Sequence, residues 1–160
     1  MVRVFIRSAS SSLPVELKNE VNLPNLQEAA MLHDYGKVLI PNSILNKQGE
    51  LTPKEREIMQ QHSELGYELL KNKDLNPEVL NLIKYHHQTP TGNGYPALDN
   101  DYTYNTSAQL LNVADKYTAL TEKRCYKKAL SREEALNIIK QDVDSGLIDE
   151  TIYNALVKVS

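Results

Sequence analysis

The adjacent residues His33 and Asp34 are hard to explain by packing alone, because they lie in a stretch that is otherwise apolar on its N-terminal side. Burying a polar side chain without a partner costs roughly 2–7 kcal/mol, and a charge costs more. A divalent cation is one such partner, and an ion near a helix end could reach both side chains. The alternative is a buried histidine followed by a capping aspartate.

Three further histidines and one aspartate are candidates to join this pair. His62, His86 and His87 complete the four histidines of the chain, and Asp115 lies at the edge of an apolar helical stripe. Adjacent imidazoles can serve two metals, or one metal and a substrate oxygen. Structural roles stay open as well: a core histidine bonded to a carbonyl for His62, and a solvated pair at a helix end for His86 and His87.

Composition narrows the class of protein. A length of 160 residues fits one domain, and the net charge of −3 does not indicate bulk nucleic acid as a partner. A single cysteine, Cys125, forms no intrachain disulfide, so a reducing cytoplasm is the expected compartment. No run approaches 18 apolar residues, so no membrane span is predicted.

The first 22 residues are poorly defined by their pattern, and residues 23–160 are predicted to form the main domain. Residues 2–7 could be a short strand or the tail of a helix. Residues 13–21 could form about two helical turns. We find no internal repeat and no second domain.

From Pro24 onward the pattern is helical, and a first helix is expected to end near Gly36. Residues 38–47 are predicted to be an ordered loop that covers the site. A capping box at Thr52 opens a helix. The inward stripe of that helix is predicted to contain Ile58, His62, Leu65 and Leu69.

The rest of the chain also predicts helices, so the fold class is all-α. A helix that begins at Asn76-Pro77 carries His86 and His87 at its C-terminal end, and others span residues 106–122 and follow Ser131 and Asp149. Residues 88–96 form a glycine-punctuated loop in which Tyr95 could offer a ring or a hydroxyl to a ligand. That loop could equally be a simple turn.

In sequence order, these residues resemble the HD-GYP family, a branch of the HD-domain metal-dependent phosphohydrolases. The resemblance runs from about Leu26 to the end of the chain and rests on His33-Asp34-x-Gly36-Lys37, His62, His86-His87, Gly94-Tyr95-Pro96, Ala114-Asp115 and Arg124-x-x-Lys127. It implies an HD-type helical bundle, two or three metal ions with iron or manganese favoured, and hydrolysis of cyclic di-GMP to linear pGpG and then GMP. Imidazole and carboxylate ligands also suit zinc.

The resemblance also implies roles for individual residues. Lys37 and Asp34 would be catalytic, with Asp34 bridging the metals, while Lys37, Tyr95, Arg124 and Lys127 would contact the substrate. The implied metal ligands are His33, Asp34, His62, His86, His87 and Asp115. Hydrolysis of a phosphodiester needs an activated water and neutralisation of the phosphate charge, which metals and these cations would supply.

The sequence departs from the family at three places. A further ligand, Glu or His, is expected near position 6, where this chain has Ile6, so the first helix is predicted to be missing or degenerate. Gln88 and Thr91 replace a glutamate and an aspartate of the family loop. An alternative function is therefore a degenerate signalling module that contacts protein partners. A sensory or receiver domain upstream would fit either function.

Overall fold

The computed structural model describes residues 2–99, 102–122 and 129–160, and throughout these ranges the regular elements are helices. They are α1 (Val2–Ser12), α2 (Val15–Glu20), α3 (Leu23–Leu32), a 3₁₀ turn (Tyr35–Leu39), α4 (Asn42–Leu45), α5 (Pro53–Gln60), α6 (His62–Leu70), α7 (Pro77–Tyr85), α8 (Thr106–Thr121), α9 (Arg132–Asp144) and α10 (Glu150–Val159). The predicted all-α class is confirmed. Within the described ranges, no helix has both the length and the apolarity that a membrane crossing requires.

The N-terminal segment forms a helix that belongs to the core. α1 packs against α3, α8 and α10, and Ile6 is completely buried there. The ring of Phe5 packs against Tyr117, with ring centroids 4.7 Å apart. Of the two alternatives for residues 2–7, the helix is therefore the correct one. A first helix is present, and its most buried large side chain is the apolar Ile6 rather than a metal ligand.

α7 lies at the centre of the frame that holds the candidate ligands. It packs against α3, α6 and α8, which are the other α-helices that carry or precede them. The contact surfaces consist of fully buried aliphatic side chains, including Leu26, Ala29, Val79, Leu82, Ile83 and Leu111. Close-packed interiors deform little, so this core fixes the helix ends from which the polar side chains project.

The expected loop over residues 38–47 is replaced by the 3₁₀ turn and α4, and α3 ends before Gly36 rather than at it. Gly36 lies inside the 3₁₀ turn, against α6. A Cβ atom on Gly36 would overlap the carbonyl oxygen of His62 and lie 2.5 Å from the backbone nitrogen of Gly66. The glycine is thus needed for close backbone approach rather than for ending a helix.

The helix predicted after Thr52 is divided at Gln61 into α5 and α6. Its capping box is confirmed, because the Thr52 side chain accepts from the Glu55 backbone and the Glu55 side chain accepts from the Thr52 backbone. The inward face differs from the prediction by about one residue, since Leu69 is 36% exposed. The buried positions of α6 are His62, Ser63, Gly66 and Leu70. Contact with the 3₁₀ turn at Gly66 explains why a small residue faces inward there.

Candidate metal centre

The six candidate ligands predicted from the sequence come together at the ends of three helices and in the middle of a fourth. They are His33 and Asp34 directly after α3, His62 at the first position of α6, His86 and His87 directly after α7, and Asp115 on α8. Two groups of three place their ligand atoms within 4.8 Å of one another: His62 with His86 and His87, and His33 with Asp34 and His86. We refer to all six residues as the His–Asp cluster.

Three of the histidines are oriented by the backbone in the same way. The Nδ1 atoms of His33, His62 and His86 lie 3.0, 2.7 and 2.8 Å from the carbonyl oxygen three residues earlier in the chain. A carbonyl can only accept, so each Nδ1 carries the proton and donates it. In its neutral form, each of these rings therefore presents an unprotonated Nε2 to the cluster. For His62, the carbonyl-bonded role and the ligand role are compatible, because each uses a different ring nitrogen.

The Nε2 atoms of His62 and His86 face each other at 3.3 Å. Burial lowers the pKa of both imidazoles, most strongly that of His86, so both rings are neutral at physiological pH. Two lone pairs at this distance repel each other unless a cation lies between them. Imidazole nitrogens that share one ion at about 2.0–2.1 Å each lie about 3 to 3.5 Å apart, which agrees with the observed separation.

Within the part of the chain that the structure describes, two buried polar atoms of the cluster have no hydrogen-bond partner: His33 Nε2 and Asp34 Oδ1. The hydroxyls of Tyr102, Ser107 and Thr118 share this property, but each belongs to a neutral group. Asp34 Oδ1 lies 3.5 Å from His62 Nε2, and His33 Nε2 lies 3.4 Å from Asp115 Oδ1. Unpaired buried atoms of this kind are costly. Imidazoles and carboxylates that converge without partners fit a divalent transition metal.

The electrostatics favour the ligand-competent state of every residue in the cluster except His33. Burial lowers the pKa of His87 to about 3. Burial also lowers the pKa of His33, but the nearby carboxylates of Asp115 and Asp34 outweigh it and raise the pKa overall. Burial would raise the pKa of each aspartate, yet His33 holds both below the usual value. Both carboxylates are therefore ionised, and His87 is neutral at physiological pH.

Lys37 and Tyr95, both predicted to contact substrate, border the cluster. Lys37 Nζ lies 2.6 Å from Asp34 Oδ2. The Tyr95 ring stacks on His87, with centroids 4.7 Å apart and an interplanar angle of 28°. Both line a cavity of about 370 Å³, which also reaches Leu45, Leu51 and Met59. We refer to this space as the tyrosine cavity.

The other two residues predicted to contact substrate, Arg124 and Lys127, lie outside the described residues.

Sequence reasoning assigned Gln88 only as a lost carboxylate, but this side chain holds the loop that carries Tyr95. Gln88 is completely buried, and its Nε2 donates to the carbonyl of Pro96. Its Oε1 accepts from the backbone N–H groups of Thr89 and Gly94, each at 3.2 Å. An ionised glutamate could accept but could not donate. The amide therefore suits this position better than the acid would.

Gly94 is required by this loop for a related reason. A Cβ atom there would overlap the carbonyl oxygen of His87 and lie 2.5 Å from the Cα of Gln88. The close backbone approach expected from the loop glycines is thus, at Gly94, an approach to the chain itself. Thr91, the other departure from the family loop, is exposed, and its hydroxyl lies 3.1 Å from that of Thr89.

Asn112 was missed by sequence reasoning. Its Nδ2 donates to the carbonyl oxygens of His86, at 2.9 Å, and Gln88, at 3.1 Å. These two bonds tie α8 to the segment that carries the two adjacent histidines. The spacing contained a signal, because Asn112 precedes Asp115 by three residues and helical residues at that spacing share a face.

Comparison with known proteins identifies the family. The family model described as the HD domain matches residues 6–152. The chain therefore belongs to the HD domain family, and its recognition as a protein of the HD-GYP type is confirmed. This match also includes α1.

Two curated relatives carry specific activities in their names. A cyclic di-GMP phosphodiesterase of Thermotoga maritima is 35% identical over 145 residues, which are 88% of this chain and 39% of the relative. The 3'3'-cGAMP-specific phosphodiesterase 1 of Vibrio cholerae is 29% identical over 148 residues, 92% of this chain and 33% of that protein. The chain thus spans well under half the length of these relatives.

A solved structure supports the fold. It is that of an HDG"Y"P protein from Bdellovibrio bacteriovorus, which is 21% identical and superposes with a TM-score of 0.71. The match covers 99% of this chain and 51% of that one. At this level of identity, the likeness shows a shared helical architecture.

Proposed function

We propose that this chain is a metal-dependent phosphodiesterase that hydrolyses a cyclic dinucleotide, with cyclic di-GMP giving pGpG and then GMP. The observation that carries the proposal is the pair of Nε2 atoms of His62 and His86, which face each other at 3.3 Å. A cation between the two nitrogens would remove the repulsion between their lone pairs, so this arrangement suits a metal ion. The names of the relatives supply the class of substrate.

The His–Asp cluster would hold two or three divalent ions, with iron or manganese favoured. The two three-residue groups share His86, whose free Nε2 can bind only one ion, so a second ion would be held by the remaining ligands of the other group. Asp34 is suited to bridge the two ions, because Oδ1 lies 3.5 Å from His62 Nε2 and Oδ2 lies 3.6 Å from His33 Nε2. The chemistry that such ions supply when bound is polarisation of the phosphodiester and acidification of the attacking water.

The protein's own side chains would position the substrate. Lys37, already 2.6 Å from Asp34, places a positive charge where a phosphate would approach the cluster. The ring of Tyr95 offers a stacking surface for a base, an interaction worth roughly 1–3 kcal/mol in nucleic-acid-binding proteins. Arg124 and Lys127 would hold the phosphates, as the family resemblance implies.

The alternative of a degenerate module has one observation in its favour. The position expected to supply a further ligand is Ile6, which is fully buried in the apolar core. A chain of this kind would fold but hold metal weakly, and would work through contacts with partner proteins. Convergence of the other six ligands favours the enzyme.

The proposed activity can be tested directly. Protein purified anaerobically with Mn²⁺ or Fe²⁺ is incubated with cyclic di-GMP, the products are separated by chromatography, and bound metal is measured by mass spectrometry. We expect pGpG followed by GMP. Asp34→Ala should lower turnover by at least about 100-fold, because even residues that only support a metal ligand contribute 10–100-fold.

Asp74→Ala is a suitable control, since Asp74 is an exposed aspartate outside the cluster, and it should leave turnover and metal content unchanged. Filled metal sites without turnover of any cyclic dinucleotide would contradict the proposed activity. A folded protein that takes up no metal would instead favour the degenerate module.

A further inference from the structure

A second cavity, of about 300 Å³, borders the His–Asp cluster. It shares three lining residues with the tyrosine cavity, namely His87, Asp115 and Ala119. The rest of its lining comes from other parts of the chain: the loop after α7, α8, and α9 with the turn that follows it. The two cavities therefore meet at candidate metal ligands and extend to different walls.

A cyclic dinucleotide needs such an arrangement. Its scissile phosphodiester lies between two nucleosides, so a phosphate held at the cluster sends the two nucleosides away from it separately. Ligand pockets usually enclose about 300–1,000 Å³. At about 370 Å³, the tyrosine cavity is near the lower end of that range and suits one nucleoside better than two.

The second cavity contains an ion pair between Lys116 of α8 and Asp142 of α9. The Asp142 side chain is only 17% exposed, so the pair is partly withdrawn from water. Its Oδ2 atom accepts from Lys116, and a carboxylate has further acceptor capacity. The wall of this cavity thus presents a donor directly beside an acceptor.

This pattern complements one edge of guanine. Guanine presents the O6 acceptor next to the N1–H and N2–H donors, so O6 can accept from a lysine while the donors bond a carboxylate. Adenine presents the opposite order, an N6–H donor next to the N1 acceptor. Charge-assisted hydrogen bonds are about twice as strong as neutral ones, which makes the mismatch costly.

We infer that this second cavity is the subsite for the other nucleotide of the substrate, and that Lys116 and Asp142 recognise guanine there. The inference rests on the proposed function and makes it more specific. A substrate would need at least one guanine, placed in this subsite, while the base beside Tyr95 could vary.

The test is the variant Asp142→Asn, which keeps the size of the side chain and removes its charge. We measure equilibrium binding of cyclic di-GMP and cyclic di-AMP to the metal-loaded protein, together with kcat and KM. The affinity for cyclic di-GMP should fall by about 10-fold to 100-fold, and the preference over cyclic di-AMP should fall with it. Hydrolysis of bis(p-nitrophenyl) phosphate, which has no base, should fall much less than hydrolysis of cyclic di-GMP.

Asp144→Asn is the matched control. Asp144 lies on the same helix and pairs with Lys140, but its side chain is 64% exposed and does not line this cavity. This variant should retain the preference for guanine. A second variant, Lys116→Met, should lose that preference as Asp142→Asn does. The conclusion then does not depend on the correct folding of one variant alone.

The outcomes separate the subsite from the activity. Binding that prefers cyclic di-GMP and loses this preference in Asp142→Asn supports the subsite even without turnover, in which case only the proposed activity fails. An unchanged preference in both Asp142→Asn and Lys116→Met would overturn the inference. So would a wild-type protein that binds both dinucleotides equally, or neither.

Discussion

Residues 84–87 lie at the end of α7 and directly after it, and they form two pairs with opposite surroundings. Lys84 and Tyr85 both donate to Asp99 Oδ2, each at 2.6 Å. The ring of Tyr102 stacks on Tyr85, with centroids 4.2 Å apart. We refer to Lys84, Tyr85, Asp99 and Tyr102 as the tyrosine lock, because they hold the chain that returns from the Tyr95 loop against α7. The charged groups of the lock are satisfied within the protein.

The next two residues, His86 and His87, are placed differently. Their neighbourhood includes His33 Nε2 and Asp34 Oδ1, which form no hydrogen bond with any described residue, and the Nε2 atoms of His62 and His86, which face each other. In three of the cluster histidines, a backbone carbonyl accepts a hydrogen bond from Nδ1 and leaves Nε2 without a backbone partner. These histidines are His33, His62 and His86. Buried polar groups are normally hydrogen-bonded, so those left open are the ones expected to bind something else. The contrast distinguishes a structural lock from a binding site on the same helix end.

The largest effect is expected from a substitution that shifts the backbone of α6, which carries His62. In Gly36→Ala the new methyl group would overlap the carbonyl of His62 and lie 2.5 Å from Gly66 N. Because both neighbours are backbone, relief requires α6 to shift, and we expect a loss of about 3 kcal/mol in the free energy of unfolding. Metal content should fall as well, because His62 begins α6. Urea unfolding and metal analysis measure the two effects.

Gly49→Ala provides the control. Gly49 has a φ of +99°, and among the described residues no atom beyond its chain neighbours lies within 4 Å of the position that the new methyl group would take, so backbone strain is what opposes the change. We expect a loss of about 1 kcal/mol with full metal content. Full metal content in Gly36→Ala would show that the approach of the 3₁₀ turn to α6 does not position His62.

A smaller effect is expected from Gln88→Glu, which changes the loop that holds Tyr95 over His87. The variant leaves the carbonyl of Pro96 without its donor and places a carboxylate at a fully buried position. We expect a loss of about 1–3 kcal/mol in the free energy of unfolding. The KM for a cyclic dinucleotide should rise more than kcat falls, since Tyr95 is proposed to hold a base.

The same substitution at Gln109 is a matched control. Gln109 Oε1 accepts from the backbone N–H of Asp149, and a glutamate can accept in the same way. Gln109→Glu should therefore leave stability and KM nearly unchanged. If Gln88→Glu also left stability and KM unchanged, the amide would not be needed as a donor, and the role given to Gln88 would be wrong.

The sequence predicted the parts of the fold that depend on local signals. The capping boxes at Thr52 and Ser131 and the caps at Asn76 and Asp149 all begin helices, as expected. The sequence did not predict the 3₁₀ turn or the division at Gln61. These features depend on the contact between Gly36 and α6, which joins residues far apart in the chain.

The candidate site, like the fold, could be predicted only in part from the sequence. Histidines and aspartates can be found by residue type and order, and the family resemblance brought the six together before any distance was known. The roles of Gln88 and Asn112 were not predictable in this way, because each depends on where a returning segment places its backbone carbonyls. An amide side chain in a sequence does not reveal whether it will donate, accept or do both.

The smallest effect is expected within the tyrosine lock itself. Asp99→Asn keeps an acceptor for Tyr85 but removes the charge that faces Lys84, so stability should fall by less than in Gln88→Glu, while metal content stays full. The hydrogen bonds from Lys84 and Tyr85 hold the pKa of Asp99 below its ordinary value of 3.8. A group with a lowered folded-state pKa stabilises the protein above its unfolded pKa, and this contribution is lost as the pH falls through the folded value.

The stability difference between wild type and Asp99→Asn should therefore be constant near neutral pH and shrink below about pH 4. At the alkaline end, burial opposes the charge of Lys84, but its bonds to Asp99 and Tyr85 outweigh this and raise its pKa from 10.5 to about 12. The lock should thus lose its charge contribution as the pH rises through that value. Urea unfolding of both proteins, from pH 7 down to the lowest pH at which the wild type stays folded, measures the difference. A difference that does not change with pH would mean that Asp99 acts only through hydrogen bonds that the asparagine preserves, and a loss of metal would mean that the lock and the His–Asp cluster are not independent.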